Sequence, residues 1–358
     1  MSAAPLVAPQ ATPDDLGDRV FAALVQTLEL FCLYVGDQLG FYQALHAGGP
    51  ATSTELAARA GTNERATREW LEQQATAGFL VCANPEQDAA ERRYTLPDGY
   101  AAVLVDRDSL RFVPPMAQIT AGAVAPLRQL LAAFRADGGV PYAAYGHDLH
   151  AGQAGMTRPL FVQQLAQEWI PAMPDIDVRL RADPPARVAD IGMGQGWSSI
   201  ALARGYPKIA VDGFDLDEAS VAAAQRNARE AGLDDRVRFQ VRDAGDPALA
   251  GRYDLALAVE CIHDMADPVS VLGSMQRLVG PGGTVLIVDE RVPDAFAPNG
   301  DMVERVMYGF SVLHCLPVGL ADQPSAETGA VMRRPTFRRY AAEAGFQAVE
   351  ELPIAHDF

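Results

Sequence analysis

Short apolar runs alternate with helical segments in the second half of the chain, after Asp183-Pro184-Pro185. The runs have the length of buried strands and cover residues 187–191, 208–214, 236–241, 253–259 and 284–289. The intervening helical segments begin near Ser198, Glu218 and Pro268. Strands that alternate with helices favour a parallel sheet covered on both faces. Residues 183–358 therefore predict a Rossmann-like, doubly wound, mostly parallel α/β domain.

The pattern changes near the C-terminus. A helix is predicted from Asp301 to Leu316, where it interrupts the alternation. One further unit follows, with a helix over residues 335–345 and a strand over residues 347–354.

The N-terminal half begins with a helical region from Asp14 to Leu45 that is apolar nearly all round. One face carries apolar residues four apart: Leu16, Val20, Leu24 and Leu28. The other faces add Phe21, Val25, Phe31, Leu33, Tyr34 and Val35. A helix of this kind must be covered on several sides, and a partner subunit is the expected cover. We therefore predict a homodimer formed through the N-terminal domain, after a disordered segment over residues 1–13 that is rich in Ala and Pro.

A helix, a second helix and a hairpin follow, and together they predict a winged helix within residues 14–107. The sequence Thr52-Ser53-Thr54-Glu55 is a capping box that opens a helix ending at Gly61. The second helix covers residues 63–78, and strands are expected at residues 79–81 and 93–96. In a regulator the second helix would enter the major groove of DNA. Residues 52–98 carry five Arg against eight acids, so a scaffold and dimerisation role is favoured over DNA binding.

Residues 108–182 connect the two domains and include an aromatic loop. Two Tyr and two His fall within residues 142–150, which is compatible either with a lid over a substrate or with a surface loop packed on its neighbour. The candidate substrate-binding residues of this connector and of the 301–316 helix are Tyr142, Tyr145, His150, Trp169, Met307 and His314. For the helix residues, packing against the sheet is an equally good interpretation.

Composition limits the possible partners. With 358 residues, 49% of them hydrophobic, the chain is long enough for two separate cores. A net charge of −17 argues against binding to nucleic acid or to an anionic membrane. No apolar stretch is expected to approach bilayer length, and the first 13 residues contain neither a basic residue nor an apolar run. The four cysteines are far apart and form no metal-type pair, which predicts reduced thiols, no metal site and a cytoplasmic protein.

The strongest chemical signal is a glycine-rich loop after the first strand of the second half. Asp190 leads into glycines at 192, 194 and 196, where missing side chains let a ligand approach the backbone. A dinucleotide fingerprint would place its last glycine at 197, which is Trp. The second strand ends at Asp215, 19 positions after Gly196, where such folds place an acid for ribose hydroxyls. Asp243-Ala244 follows the third strand, where a carboxylate can accept a bond from an adenine amine.

These motifs, taken in order, resemble the class I S-adenosylmethionine-dependent methyltransferases. The resemblance covers residue 183 onward, and with the winged helix it extends to small-molecule O-methyltransferases. It implies S-adenosyl-L-methionine as cofactor and S-adenosyl-L-homocysteine as its product. The implied cofactor-binding residues are Asp190, Gly192, Gly194, Gly196, Asp215, Leu216, Asp243, Ala244 and Glu260. The family's sheet normally closes with a final antiparallel strand beside the fifth. This chain shows no such strand before Phe358, so the C-terminus has been cut or the sheet is one strand short.

His263 is the predicted general base. The sequence Cys261-Ile262-His263-Asp264 resembles the His-Asp segment that carries the base in these enzymes, although Met265 stands where a Trp is common. The imidazole titrates in the range that a base for a hydroxyl requires. The favoured function is O-methylation of a small molecule. The alternatives are N- or C-methylation by proximity, a cofactor-sensing winged-helix regulator and, disfavoured by Trp197, an NAD-dependent oxidoreductase.

Overall fold

The computed structural model describes residues 12–249, 251–298 and 300–356. The chain divides into two compact units, one ending at Ala117 and one beginning at Gln118, so residues 118–182 belong to the second unit. The disorder predicted for residues 1–11 lies outside the described residues. Thr12 and Pro13, predicted to share it, instead form the cap and the first residue of a helix.

The first unit is mainly helical. Its elements are α1 (Pro13–Gln38), α2 (Phe41–Gly48), α3 (Ser53–Ala60), α4 (Glu64–Thr76), β1 (Val81–Cys82), β2 (Tyr94–Thr95), α5 (Ala101–Leu104) and the start of α6 (Pro114–Val124). Gly40, with φ +69°, separates α1 from α2 within the region predicted as helical. The predicted capping box is confirmed, since Thr52 accepts from the Glu55 amide and the Glu55 carboxylate accepts from the Thr52 amide.

The arginines of the winged helix are engaged within their own domain. Four of them form ion pairs with acids of the same domain: Arg65 with Glu69, Arg68 with Glu64, Arg92 with Glu72, and Arg93 with Glu55. Arg59 donates to the carbonyl oxygens of Ala44 and Gly49. Because a DNA-binding helix uses such side chains on phosphates, this pairing agrees with a scaffold role.

Helix α1 keeps a large apolar face exposed. Phe21 is 67% exposed and Leu24 51% exposed, and Leu16, Val20, Val25 and Leu28 share this exposure. Only its C-terminal part packs on the winged helix, where Leu33 is buried and the Trp70 indole donates to the Cys32 carbonyl oxygen. By length and composition alone α1 could cross a membrane, so the expectation that no apolar stretch approaches bilayer length is wrong.

The second unit carries the sheet. Its helices are α7 (Leu127–Ala133), α8 (Gly146–Leu160), α9 (Pro174–Arg181), α10 (Trp197–Gly205), α11 (Glu218–Glu230), α12 (Pro268–Val279), α13 (Met302–Phe310), α14 (Leu316–Gly319) and α15 (Arg334–Glu343). Its strands are β3 (Arg187–Ile191), β4 (Ala210–Asp215), β5 (Val237–Val241), β6 (Leu255–Val259) and β7 (Thr284–Val288). These bounds follow the predicted runs within two residues.

All pairs in this sheet are parallel, in the order β5-β4-β3-β6-β7. Side chains of β3 alternate between two cores: Val188 packs with α10 and α11, and Ala189 packs with α12 and α15. The predicted doubly wound α/β fold is therefore confirmed. The strand order reverses between β3 and β6, and ligands of open α/β sheets bind outside the carboxyl ends of the strands at such a point.

The strand predicted over residues 347–354 is wrong. These residues are irregular, and β7 is the edge of the sheet as far as the structure describes it. A strand needs a neighbour to pair its backbone groups, and Pro353 lacks a donor within the predicted run. A groove instead runs along the free edge of β7 beside residues 346–356.

Two stretches depart from α-helical hydrogen bonding. Residues Phe161–Trp169 continue α8 as a π-helix, and Ser311–Cys315 form a second one between α13 and α14. Pro159, near the end of α8, removes a backbone donor immediately before the first π segment. Such segments are rare and concentrate at functional sites, and both carry predicted substrate residues.

Candidate active site

The glycine loop joins β3 to α10 at the switch point of the sheet. Gly192, Gly194 and Gly196 all have φ between +52° and +78°, a region that side chains disfavour. A Cβ on Gly192 would lie 2.7 Å from the Cys261 sulfur, and one on Gly196 would lie 2.6 Å from the Phe239 ring. At Gly194 the added atom would meet nothing within 4 Å. The first and last glycines therefore permit close packing, and the middle one leaves open space for a ligand.

Two buried carboxylates fix this loop. Asp190 accepts from the Ser198 and Ser199 hydroxyls, each at 2.6 Å, which ties the end of β3 to α10. Burial raises the pKa of Asp190 to about 6, although the hydrogen bonds from the two serine hydroxyls lower it. Asp215 accepts from the Gly194 amide and the Asp217 amide, each at 2.9 Å. Burial also raises the pKa of Asp215, although both amides lower it.

A cavity of about 650 Å³ opens above the loop, and we call it the cofactor cavity. Eight of the nine predicted cofactor residues line it: Asp190, Gly192, Gly194, Asp215, Leu216, Asp243, Ala244 and Glu260. Gly196 does not, although its neighbours Gln195 and Trp197 do. Gly196 acts through the turn alone. Asp243 accepts from the Gly245 amide at 2.7 Å, which holds its carboxylate at the rim.

These residues fit the cofactor that the resemblance implies. The bare backbone of Gly194 and the Asp215 carboxylate stand together at one wall, as a ribose site requires, with Asp243 and Ala244 further along the rim. Glu260 lines the cavity in a left-handed backbone conformation, with φ +55°. Non-glycine residues rarely adopt this conformation, and it occurs often at functional sites.

His263 lies in a short turn, Ile262–Asp264, just after β6. It is 4% exposed, and its Nδ1 lies 2.6 Å from Oδ1 of Asp289, the residue that follows β7. The ring also forms a hydrogen bond with the Cys315 thiol. His263 itself lines neither the cofactor cavity nor a second cavity along β7, whereas its neighbours Cys261 and Asp264 line the cofactor cavity.

The charge state of His263 follows from this environment. Burial lowers its pKa, but the Asp289 charge, the hydrogen bond to it and the Cys315 contact together hold the pKa well above the ordinary value. This environment favours the imidazolium, paired with the Asp289 carboxylate. Burial also raises the pKa of the adjacent Asp264, to about 6.

The predicted substrate residues fall into three places. Tyr142 and His150 stack with ring centroids 4.3 Å apart and line the cofactor cavity, where His150 also lies 3.5 Å from Asp217. Trp169 lines a second, larger cavity. Tyr145, Met307 and His314 are buried and line neither cavity. Tyr145 donates to the Leu313 carbonyl oxygen, and burial lowers the pKa of His314 to about 3.

The second cavity, of about 1330 Å³, lies along β7 and adjoins the cofactor cavity. The two share a wall made by Thr157, Phe161, Val259 and Glu260. Asp289 and Glu290 line the second cavity and were missed by the sequence analysis. The signal was present, since the predicted strand over residues 284–289 ends at Asp289 and Glu290 follows it directly.

Comparisons with known proteins agree with this arrangement. A family model for a methyltransferase domain matches residues 182–323. A family model for the Rv2258c-like winged helix-turn-helix domain matches residues 28–106. The ubiquinone biosynthesis O-methyltransferase of Pseudomonas aeruginosa is 34% identical over 178 residues, which are 48% of this chain and 68% of that protein. Norajmaline N-methyltransferase of Rauvolfia serpentina is 34% identical over 105 residues, 29% of this chain, and the match spans only 36% of its own length.

Solved structures share the fold over nearly the whole chain. A crystal structure of an O-methyltransferase of Nostoc punctiforme matches with a TM-score of 0.64 at 21% identity, covering 97% of each chain. Human N-acetylserotonin methyltransferase, solved in complex with S-adenosylmethionine, matches with a TM-score of 0.63 at 16% identity, covering 95% of this chain and 94% of that one. From its glycine loop, its parallel sheet, its two domain matches and its relatives, the chain belongs to the class I S-adenosylmethionine-dependent methyltransferases that carry an N-terminal winged-helix domain.

Proposed function

We propose that the chain methylates an oxygen of a small molecule, with S-adenosyl-L-methionine as methyl donor and His263 as general base. The observation that carries the proposal is the Asp289–His263 pair at the carboxyl edge of β6 and β7, beside the glycine loop. The O-methyltransferase relative and the human structure with bound S-adenosylmethionine support it. When bound, the cofactor supplies an electrophilic methyl group on a sulfonium.

The protein contributes position and proton transfer. The glycine loop and Asp215 hold the cofactor, and Glu260, Phe161, Thr157 and Val259 form the wall behind which an acceptor can stand. Asp289 orients the imidazole through Nδ1, which leaves Nε2 to take the hydroxyl proton. Because His263 is buried, a hydroxyl can reach the ring only when this part of the site opens.

The pH dependence of kcat/KM should reflect the ionisation of His263 beside Asp289. Since the His263 pKa is raised, its neutral form accumulates only at alkaline pH, so kcat/KM should rise with pH well beyond the ordinary imidazole range. Asp289→Asn removes the charge that raises the pKa, so the rising limb should move to lower pH while the plateau falls by at least about tenfold through lost orientation. Initial rates across pH for both proteins measure this. A limb that stays in place in the variant would mean that another group titrates.

The free energy of unfolding should also depend on the protonation of His263, but it should fall as the pH rises. Because the folded-state pKa of His263 is raised, the pair contributes fully below the unfolded pKa near 6.5, and this contribution is lost as pH rises through the folded pKa. Asp289→Asn should therefore flatten the alkaline decline in the free energy of unfolding.

Two other functions remain as alternatives. N-methylation of an amine would require that the amine be held close to the methyl group, but it would require no base. The similarity to norajmaline N-methyltransferase supports N-methylation as an alternative. A cofactor-sensing regulator would need a winged helix that contacts DNA, and the internal ion pairs of Arg65, Arg68, Arg92 and Arg93 oppose that. The four cysteines, all among the described residues, are unpaired, which supports a reducing, cytoplasmic setting.

We propose in addition that the chain is a homodimer through α1. A second copy is the occupant that the molecule itself supplies for the exposed face of Leu16, Val20, Leu24 and Leu28. Five acids against one Arg lie within α1, at Asp14, Asp15, Asp18, Glu29, Asp37 and Arg19, and such charge disfavours insertion into a bilayer.

Replacement of Leu24 and Leu28 together by Glu should convert the dimer to monomer. Each buried leucine contributes about 1.5–3 kcal/mol, so the dissociation constant should rise by at least about 100-fold. Sedimentation velocity measures the change, and Gln26→Glu, at an exposed position of the same helix, is the matched control. A dimer that survives the double substitution would place the interface elsewhere.

A further inference from the structure

The upper end of the second cavity, near the carboxyl ends of β6 and β7, is unusually polar for a buried place. Glu260, Asp289, Glu290 and Trp169 line it, next to the wall that it shares with the cofactor cavity. We call this end the acidic subsite.

Three buried polar atoms in the acidic subsite lack a partner. They are the second carboxylate oxygen of Asp289, one carboxylate oxygen of Glu290 and the indole N–H of Trp169. The Asp289 side chain is 10% exposed and Trp169 4%. Leaving a buried donor or acceptor unpaired is unfavourable, and it occurs in native proteins chiefly where a ligand or water completes the bonding. All three atoms belong to residues that line the cavity, so a molecule bound there can complete their bonding once these side chains turn toward it.

The charges of the subsite are also unbalanced. Burial and the nearby Asp289 charge raise the pKa of Glu260, although Glu290, His263 and His356 oppose this. Burial and the nearby Glu260 charge raise the pKa of Glu290 to about 9, although His263 opposes this. Three carboxyl groups thus lie close to one another beside His263 and His356, and a bound cation would favour their ionised forms.

We propose that the acidic subsite binds a protonated amine of the methyl acceptor, between Asp289 and Glu290, with an oxygen of the same molecule accepting from Trp169. This rests on the proposed O-methyltransferase function. An ammonium supplies several N–H donors to the two unpaired carboxylate oxygens. Among the described residues, no group of three His, Cys, Asp or Glu side chains is placed to hold a metal ion, so the geometry fits an ammonium better than a metal. An ammonium has no lone pair and therefore cannot accept the methyl group. It would hold the acceptor in place while a hydroxyl group of the same molecule is methylated.

A matched pair of small probes tests this proposal. Benzylammonium and benzyl alcohol, which differ in the charged group, are titrated into the full-length protein saturated with S-adenosylhomocysteine, so that the cofactor's own ammonium site is filled. Binding is followed by the indole resonance of Trp169 in protein labelled with ¹⁵N-tryptophan. The proposal expects benzylammonium to bind at least about tenfold more tightly than the alcohol.

Two substitutions test whether the preference for benzylammonium over benzyl alcohol arises in the acidic subsite. Glu290→Gln, which has the shape of the neutral acid, should abolish most of the tenfold difference while S-adenosylhomocysteine still binds. Glu350→Gln, at an exposed position of the same cavity, should keep the difference. Equal affinity for the two probes, no saturable binding of benzylammonium, or an unchanged preference in Glu290→Gln would each overturn the acidic subsite and leave the proposed function standing. Failure of S-adenosylhomocysteine to bind would instead refute the proposed function.

Discussion

His263→Ala is expected to lower the rate of methyl transfer by roughly 10²–10⁴-fold while the affinity for S-adenosylhomocysteine stays nearly unchanged. The reason is geometric, since the imidazole is held by Asp289 at 2.6 Å and lines neither large cavity, so its loss removes a proton acceptor without opening the cofactor site. The residual rate should rise at high pH, as solvent ionises the acceptor without help.

The controls for His263→Ala separate three explanations. His147→Ala changes an exposed histidine and should leave rate and affinity alone. Asp264→Asn tests the neighbouring carboxylate, which does line the cofactor cavity and could act as the base in place of His263. A His263→Ala variant with full rate and the wild-type pH profile would remove His263 from the mechanism. A variant in which rate and affinity fall together would make it a packing residue.

Asp215→Ala is expected to weaken S-adenosylhomocysteine binding by the largest amount of any single change. Two charge-assisted hydrogen bonds to ribose would be lost, on the order of 2–4 kcal/mol or roughly 30- to 1,000-fold in Kd. The same carboxylate also holds the Gly194 and Asp217 amides, so the loop loses its anchor as well. Calorimetry measures the change.

The matched variants sharpen this test. Asp215→Asn keeps one acceptor oxygen and should lose less affinity than Asp215→Ala. Asp235→Ala, at an exposed position before β5, should bind as the wild type does. Unchanged affinity in Asp215→Ala would refute the assignment of this residue to the ribose.

The sequence was most informative where the chemistry is local. The spacing of Gly192, Gly194 and Gly196 and the position of Asp215 depend on one strand–loop–helix connection and the next strand, so they can be recognised without knowing the sheet order. Their roles toward the cofactor stay predictions. The partner of His263 is different, because Asp289 lies 26 residues away and meets it only because β6 and β7 are neighbours.

The packing of helices and strands against one another also could not be predicted from the sequence. Periodicity marks Met307 and His314 as one face of a helix but does not say whether that face meets a ligand or a core, and the structure buries both. Residues 347–354 have the composition of a strand, yet pairing depends on a neighbour that no local pattern describes. The π-helix at Phe161–Trp169 likewise arises from how α8 continues beyond Pro159.

We expect the glycine-loop cavity to be an S-adenosylmethionine site. The most direct measurement is a calorimetric titration of the wild-type protein with S-adenosylhomocysteine, repeated with NAD. We predict saturable binding of one S-adenosylhomocysteine per chain and no binding of NAD. Absence of S-adenosylhomocysteine binding, or binding of NAD in its place, would contradict the account.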